Sequence, residues 1–244
     1  MVNLLYTELL KLKRSKMFLV SIIGASAAPI MMFIAYLSQM KRDPGKVIPF
    51  EISFYNTNLN VMLLLGVLLY GVITAYLFNR EFVEDTLKNL LTIPVSRVAL
   101  ITSKMLMLFI WILLLTMVAW VLTLGFAFFI KSDVLSAGVL LSSLRDYVLG
   151  AVLMFLLSTP TIWVTFLFKN YVPTIMFTAV ITLGNVTVIS SDYKALFPWS
   201  AAHVIVTQSY VADYPPLYSF IAVGITSLFG LAASVLYFNR MDIK

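Results

Sequence analysis

The order of apolar and polar residues along the chain predicts six membrane-spanning helices. An α-helix needs about 20 mainly apolar residues to cross the hydrocarbon core of a bilayer. Stretches of about this length or longer cover residues 17–37, 59–78, 98–130, 147–168, 172–189 and 217–238. The third stretch is nearly unbroken apart from Lys104, so we expect its start to protrude from the membrane or to tilt. The pattern therefore predicts an all-α polytopic membrane protein, with one six-helix domain over residues 17–244.

The first 16 residues are predicted to form a separate element ahead of the first span. In a helix, Leu5, Leu9 and Leu12 share one face, and Lys11 lies on another face with Arg14. A helix of this kind lies in the membrane interface and places its basic side chains among the lipid headgroups. The segment lacks the small-residue cleavage site of a signal peptide. We therefore expect an N-terminal interfacial elbow helix over residues 1–16, with membrane lipid as its partner.

The connections between spans differ in character. The outer loop over residues 38–58 contains Pro44, Gly45 and Pro49 and is predicted to be irregular. Residues 190–216 are too apolar for a solvated loop and too short to span, which favours a pair of short interfacial or re-entrant helices. Basic residues are more frequent before the first span and in the connections on that same side, and cytoplasmic segments carry such an excess. Both termini are therefore predicted to be cytoplasmic.

Composition supports a membrane protein and limits its chemistry. The chain is 61% hydrophobic and 11% charged, whereas soluble domains carry about 25% charged residues. The net charge of +6 arises from residues beside apolar stretches, so we expect no nucleic-acid partner. There is no cysteine, and no glycine-rich loop ends in Gly-Lys-Ser or Gly-Lys-Thr to hold a phosphate. We therefore predict no enzyme activity, no catalytic residue, no metal site and no cofactor in this chain.

Individual polar residues were considered as functional groups. The one histidine, His203, lies beside apolar residues and is interpreted as a packed residue, because no nucleophile accompanies it. All acidic residues are expected in connections or at the ends of spans, which argues against ion-driven transport. Hydroxyl and amide groups recur on the fourth and fifth predicted spans. Helix–helix contacts are the favoured interpretation and a substrate path is the alternative for Ser158, Thr161, Thr165, Thr174, Thr178, Thr182 and Asn185.

The inner connection over residues 79–97 has the features of a docking element. Glu81, Glu84 and Asp85 crowd its start, where acidic side chains suit the helix dipole. Pro94 ends the predicted helix, because proline lacks the N–H that the helix needs. A short projecting helix with acidic and apolar residues can seat in a cleft of a partner protein. A solvated linker helix is the alternative.

At these residues the chain resembles the permease subunits of type-2 ABC exporters. Members of that family carry the pattern Glu-x-x-x-Gly-Thr-x-x-x-Leu-Leu-x-x-Pro-x-Ser-Arg after the second span, followed by a lysine. Asp85 stands where the family usually has glycine, which puts the shape of the preceding turn in doubt. The pattern is otherwise matched by Glu81, Thr86, Leu90, Leu91, Pro94, Ser96, Arg97 and Lys104.

The resemblance implies a function and partners. In that family this segment is a coupling helix that docks into a separate ATPase, which binds ATP and Mg²⁺. The residues assigned to coupling by the resemblance are Glu81, Glu84, Asp85, Thr86, Leu90, Leu91, Pro94 and Arg97. Two ATPase copies and a second permease, identical or similar, are expected as partners in a bacterial plasma membrane.

Compact permeases of this size resemble those that protect bacteria against bacitracin and lantibiotics. Export of an amphipathic peptide antibiotic or a lipid-like compound is therefore the leading hypothesis. A non-transporting membrane sensor or assembly partner is the second hypothesis. An intramembrane enzyme that depends on His203 is the third.

Overall fold

The computed structural model describes residues 2–13, 15–84, 96–130 and 133–241, and all regular secondary structure in these ranges is helical. An N-terminal helix is present, as predicted. The helices are α1 (Val2–Lys13), α2 (Met17–Arg42), α3 (Phe50–Leu63), α4 (Leu65–Val83), α5 (Arg97–Phe129), α6 (Ala137–Leu157), α7 (Thr159–Phe168), α8 (Tyr171–Val188), a 3₁₀ helix (Asp192–Ala195), α9 (Pro198–Thr207) and α10 (Pro216–Arg240).

The number of membrane crossings agrees with the apolar pattern. Five segments are long and apolar enough to span singly, namely α2, α5, the α6–α7 pair, α8 and α10. The pair formed by α3 and α4 is bent by 43° and provides a sixth span if it crosses as one unit. The prediction of an all-α polytopic membrane protein is confirmed.

The second span is longer than predicted and is broken near its middle. It begins at Phe50, and α2 continues to Arg42, so the prediction of an irregular outer loop is wrong for residues 38–42 and 50–58. The rings of Phe50 and Phe54 are buried against aromatic side chains of α5 and α6, which favours a helix here. The break lies at Leu64, whose φ of −121° and ψ of −89° are not helical. Gly66 follows, and any Cβ there would overlap the carbonyl oxygen of Val61.

The fourth span also begins earlier than predicted. Helix α6 starts at Ala137, where the hydroxyl oxygen of Ser136 accepts a hydrogen bond from the Val139 amide at 3.2 Å. Arg145 and Asp146 therefore lie inside a helix. Asp146 thus belongs to a helix and not to a connection, at the position directly before the predicted start of the span at residue 147.

Close packing between α7 and α10 involves small residues of the last span. A Cβ at Gly230 would overlap the backbone nitrogen of Pro160. The hydroxyl of Ser234 donates to the carbonyl oxygen of Thr159 at 3.2 Å, and Thr159 donates to the carbonyl oxygen of Ser227 at 2.8 Å. Backbones this close are typical of membrane helices with small residues at the contact.

The apolar segment before the last span contains two short helices, as predicted. The 3₁₀ helix Asp192–Ala195 leads into α9, and Ala201, Ala202 and Val204 of α9 are fully buried. Helix α9 packs against α3, α6 and α10. It is therefore a part of the bundle core at this end of the molecule.

Candidate functional site

A cluster of four charged residues joins α1 to the adjacent ends of α4 and α5. The ammonium group of Lys104 lies 2.6 Å from Glu81 Oε1 and 3.5 Å from Glu8 Oε2. The ammonium group of Lys11 lies 2.8 Å from Glu8 Oε1 and 3.1 Å from Glu81 Oε1. Lys104 also donates to the carbonyl oxygen of Leu77 at 2.9 Å. We call Glu8, Lys11, Glu81 and Lys104 the ionic cluster.

The ionic cluster is neutral in sum, and all its members except the half-buried Lys11 are buried. Glu81 is 2% exposed, Lys104 is 5% exposed and Glu8 is 7% exposed. Buried charges are tolerated when each has a partner of opposite sign and further hydrogen bonds. Burial alone would lower the pKa of Lys11, but the hydrogen bond to Glu8 and the charge of Glu81 outweigh burial and raise that pKa. Lys11 therefore stays charged, and the four side chains together fix α1 against α4 and α5.

A series of hydrogen bonds beside the ionic cluster connects the end of α4 to the junction between α1 and α2. Glu84 Oε1 accepts from Arg80 Nε at 2.8 Å, and Arg80 Nη1 donates to the Tyr76 hydroxyl at 3.2 Å. The Tyr76 hydroxyl donates to Ser15 Oγ at 2.8 Å. Ser15 Oγ in turn accepts from the Met17 amide at 3.0 Å. The last turn of α4 is thus held to the N-terminal segment at two places.

Arg97 holds the start of α5 to the end of the last helix. Its Nη1 lies 3.1 Å from the carbonyl oxygen of Phe238, 3.1 Å from that of Asn239 and 2.9 Å from that of Met241. Carbonyl groups at a helix C-terminus lack helical partners and attract a cation. Ser96 caps α5 itself, because its hydroxyl oxygen accepts from the Ala99 amide at 3.2 Å.

These contacts place both flanks of the predicted docking element. Five of its predicted residues, Asp85, Thr86, Leu90, Leu91 and Pro94, lie outside the described residues. Glu84 precedes them with a side chain that is 47% exposed. Glu81 and Arg97 are instead engaged inside the chain, so any part they have in coupling is to position the helices that flank the segment.

Sequence reasoning did not identify the ionic cluster. The sequence placed Lys11 on the N-terminal helix and Glu81 in the docking element, and Lys104 interrupts an apolar stretch and matches the lysine of the family pattern. A single charge within an apolar helix needs a partner of opposite charge inside the protein. Lys104 was therefore the available signal, although its partners lie 23 and 96 residues away in the sequence.

The hydroxyl and amide groups considered as a substrate path are buried between helices. Thr165 Oγ1 lies 3.1 Å from Thr174 Oγ1, joining α7 to α8. The Asn185 side chain donates to the carbonyl oxygen of Leu63 at 2.9 Å, which is next to the break in the second span. Ser158, Thr161, Thr178 and Thr182 are also at most 9% exposed. These contacts join helices, in line with the favoured interpretation.

His203 is buried in α9 and lies far from the ionic cluster in the fold. It is 2% exposed, and its ring centroid is 5.7 Å from that of Tyr55 in an edge-on arrangement. Burial, helped by the positive charge of Lys194, lowers the pKa of His203 to about 4. The imidazole is therefore neutral at physiological pH and packs as a core side chain.

Two comparisons with known proteins agree with this architecture. A family model described as "ABC-2 family transporter protein" matches residues 4–185, a range that contains the ionic cluster and Arg97. A Bacillus licheniformis protein named bacitracin transport permease protein BCRB is 51% identical over 207 residues, covering 85% of this chain and 100% of that protein. The predicted resemblance is confirmed. The chain belongs to the ABC-2 family of transporter proteins and is a multi-pass membrane permease of an ABC transporter.

Proposed function

We propose that this permease exports an amphipathic peptide antibiotic or a lipid-like compound, driven by ATP hydrolysis on a separate ATPase. The observation that carries the proposal is the anchoring of both flanks of residues 85–95. The flank on α4 is held by the ionic cluster, and the flank on α5 is held by Arg97. A partner that moves this segment therefore moves the ends of α1, α4, α5 and α10.

The buried contacts are suited to transmit such a movement. Charge pairs that are shielded from water are stronger than exposed ones and are screened less by salt. Displacement of the end of α4 therefore carries the ionic cluster, and with it α1 and α5. Changes in the tilt of these helices alter the bundle, while the ATP and Mg²⁺ remain on the partner. No residue of this chain takes part in the hydrolysis.

The partners follow from the same proposal. Two ATPase copies each dock on one permease, and a second permease, identical or similar, completes the transporter in a bacterial plasma membrane. The similarity to a protein named for bacitracin transport supports an amphipathic peptide as the substrate class. Large apolar side chains on α2, α8 and α10 are exposed, which suits contact with lipid or with the second permease.

The proposed orientation places both termini and residues 79–97 in the cytoplasm. The chain contains no cysteine, so single cysteines can be introduced and labelled with a membrane-impermeant reagent. A cysteine at Glu84 should stay unlabelled in intact cells, and one at Val134, which is 91% exposed near the opposite ends of the helices, should react. Labelling at Glu84 but not at Val134 would show that the chain has the opposite orientation in the membrane.

The docking proposal is tested with Leu90→Asp, which places a carboxylate where an apolar side chain is expected to fill the partner's cleft. Burying an unpaired charge is unfavourable by several kcal/mol. We expect normal membrane insertion, loss of co-purification with the ATPase and loss of ATP turnover that responds to substrate. The control is Val134→Asp, the same kind of change at an exposed position near the other end. Unchanged co-purification and turnover in Leu90→Asp would reject docking through this segment.

A further inference from the structure

A cavity of about 390 Å³ opens between α3, α6 and α9. It lies toward the end of the bundle opposite the ionic cluster, because Glu51 of its wall is in the first turn of α3, whereas Glu81 is in the last turns of α4. Glu51, Tyr55 and Asn58 contribute one face of α3. Cavities that bind drug-sized ligands have volumes of about 300–1,000 Å³.

The charged groups of this cavity are both acidic. Glu51 on α3 and Asp146 on α6 line the wall, and neither carboxylate forms an ion pair with any residue that the structure describes. The positive charge of Arg145 acts on the neighbouring Asp146, but Arg145 is exposed, forms no ion pair with it and does not line the cavity. The cavity therefore has negative charge that a bound cation would neutralise.

Three hydroxyl groups of the wall donate their hydrogen bonds within the protein. The Ser142 and Ser143 hydroxyls donate to backbone carbonyl oxygens of α6 at 3.1 and 3.0 Å. The Thr207 hydroxyl donates to a backbone carbonyl oxygen of α9 at 2.8 Å. Asn58 is only 3% exposed, and its Oδ1 has no hydrogen-bond partner among the described residues. A buried acceptor without a partner is unfavourable, and a ligand that donates a hydrogen bond relieves it.

We propose that this cavity binds the primary ammonium group of an amphipathic molecule. Glu51 and Asp146 supply the opposite charge, and Asn58 Oδ1 accepts a hydrogen bond from one N–H of the ammonium group. Phe54 and Val139 supply an apolar wall for the rest of the molecule. A lipid headgroup and a soluble amphiphile can both present an ammonium group. The inference extends the proposed function, since it assigns substrate recognition to this cavity.

The test measures binding of monodansylcadaverine, a fluorescent amphipathic amine, to the full-length chain in phosphatidylcholine nanodiscs. Empty nanodiscs provide the background. The matched probe is N-acetylated monodansylcadaverine, which is neutral. Two variants remove one charge each from different helices, Asp146→Asn and Glu51→Gln. The control variant is Asp213→Asn, an exposed acid outside the cavity wall.

We expect saturable binding of the amine, at least about tenfold weaker in Asp146→Asn, weaker in Glu51→Gln and unchanged in Asp213→Asn. The neutral probe should bind the wild type no better than the amine binds Asp146→Asn. Equal binding by wild type and Asp146→Asn, or equal binding of both probes, would overturn the proposal.

A competition experiment distinguishes a lipid from a soluble amphiphile as the natural ligand. Displacement of the amine by phosphatidylethanolamine in the nanodisc identifies a lipid as a source of the ammonium group, and absence of displacement excludes this lipid and favours a soluble amphiphile. Both results agree with the proposed chemistry. The measurement needs no ATPase, so a failure here leaves the docking test with Leu90→Asp unaffected, and a failure of docking leaves this binding unaffected.

Discussion

Removal of one partner from the ionic cluster should destabilise the protein more than removal of an oppositely charged pair. The central pair is Glu81 and Lys104, with 2.6 Å between their charged atoms and side chains that are 3% and 7% exposed. At an effective dielectric constant of about 20, two unit charges at this distance attract by about 6 kcal/mol. Transfer of each ion out of water costs several kcal/mol, so the intact pair contributes little net stability.

The single variants Glu81→Gln and Lys104→Met each leave a buried charge in excess. Breaking a buried pair typically costs about 3–5 kcal/mol. We expect the low end, about 3 kcal/mol, because Glu81 keeps Lys11 at 3.1 Å and Lys104 keeps Glu8 at 3.5 Å. The double variant retains the complete Glu8–Lys11 pair at 2.8 Å. It should therefore be no less stable than either single variant, which gives a coupling energy of about 3 kcal/mol.

The assay is reversible unfolding by SDS in mixed micelles, followed for the wild type, both single variants and the double variant. The matched control is the same cycle on Arg80 and Glu84, a pair at 2.8 Å whose Glu84 side chain is 47% exposed. Exposed pairs couple by less than about 1 kcal/mol. Additive effects of Glu81→Gln and Lys104→Met would refute the reasoning, because they would show that the two side chains do not interact.

Four more variants test other contacts by thermal unfolding in detergent. Gly230→Ala should lower the free energy of unfolding by about 1–3 kcal/mol, because its Cβ would overlap the Pro160 backbone. Gly224→Ala should leave it unchanged, because no atom lies near that Cβ. Equal effects of the two variants would contradict the packing described for Gly230. Arg97→Met should lower the free energy of unfolding by about 1–2 kcal/mol and reduce ATP turnover, because it removes the hydrogen bonds to the carbonyl groups at the end of α10. Unchanged stability and turnover would exclude this role for Arg97. The pKa of His203 is about 4 in the folded protein and 6.5 ordinarily, so the unfolded state is protonated first as the pH falls. The free energy of unfolding of the wild type should therefore decrease by up to roughly 3 kcal/mol between pH 6.5 and 4. His203→Gln should lose less over that range, and an equal loss would disprove the assignment.

The fold class could be predicted from sequence because a bilayer demands long apolar helices. Span limits were harder to predict. The fourth span was predicted to begin at residue 147, yet α6 begins at Ala137 and includes both Arg145 and Asp146. Leu64 gave no signal of a break, because leucine favours helices and the φ and ψ of this residue depend on tertiary contacts.

The candidate site was predictable in part. The family pattern located the segment between α4 and α5, and Lys104 was visible as an unusual charge. The contacts of Glu81 could not be predicted, because its partners Lys11 and Lys104 come from two other helices. Arg97 was assigned to coupling by the resemblance, and its contact with α10 depends on residues more than 140 positions away. Local patterns carry no information on such distant pairings.

The break at Leu64 divides the second span into two helices that meet at an angle of 43°. The α4 half ends at the ionic cluster, and the α3 half lines the cavity. Asn185 holds the carbonyl oxygen of Leu63 beside the joint, which satisfies a backbone group that the interrupted helix leaves free. A straight rod would carry any tilt unchanged from one side of the bilayer to the other. Two helices joined at a break can change their angle, so a displacement of α4 can be converted into a change of the tilt of α3.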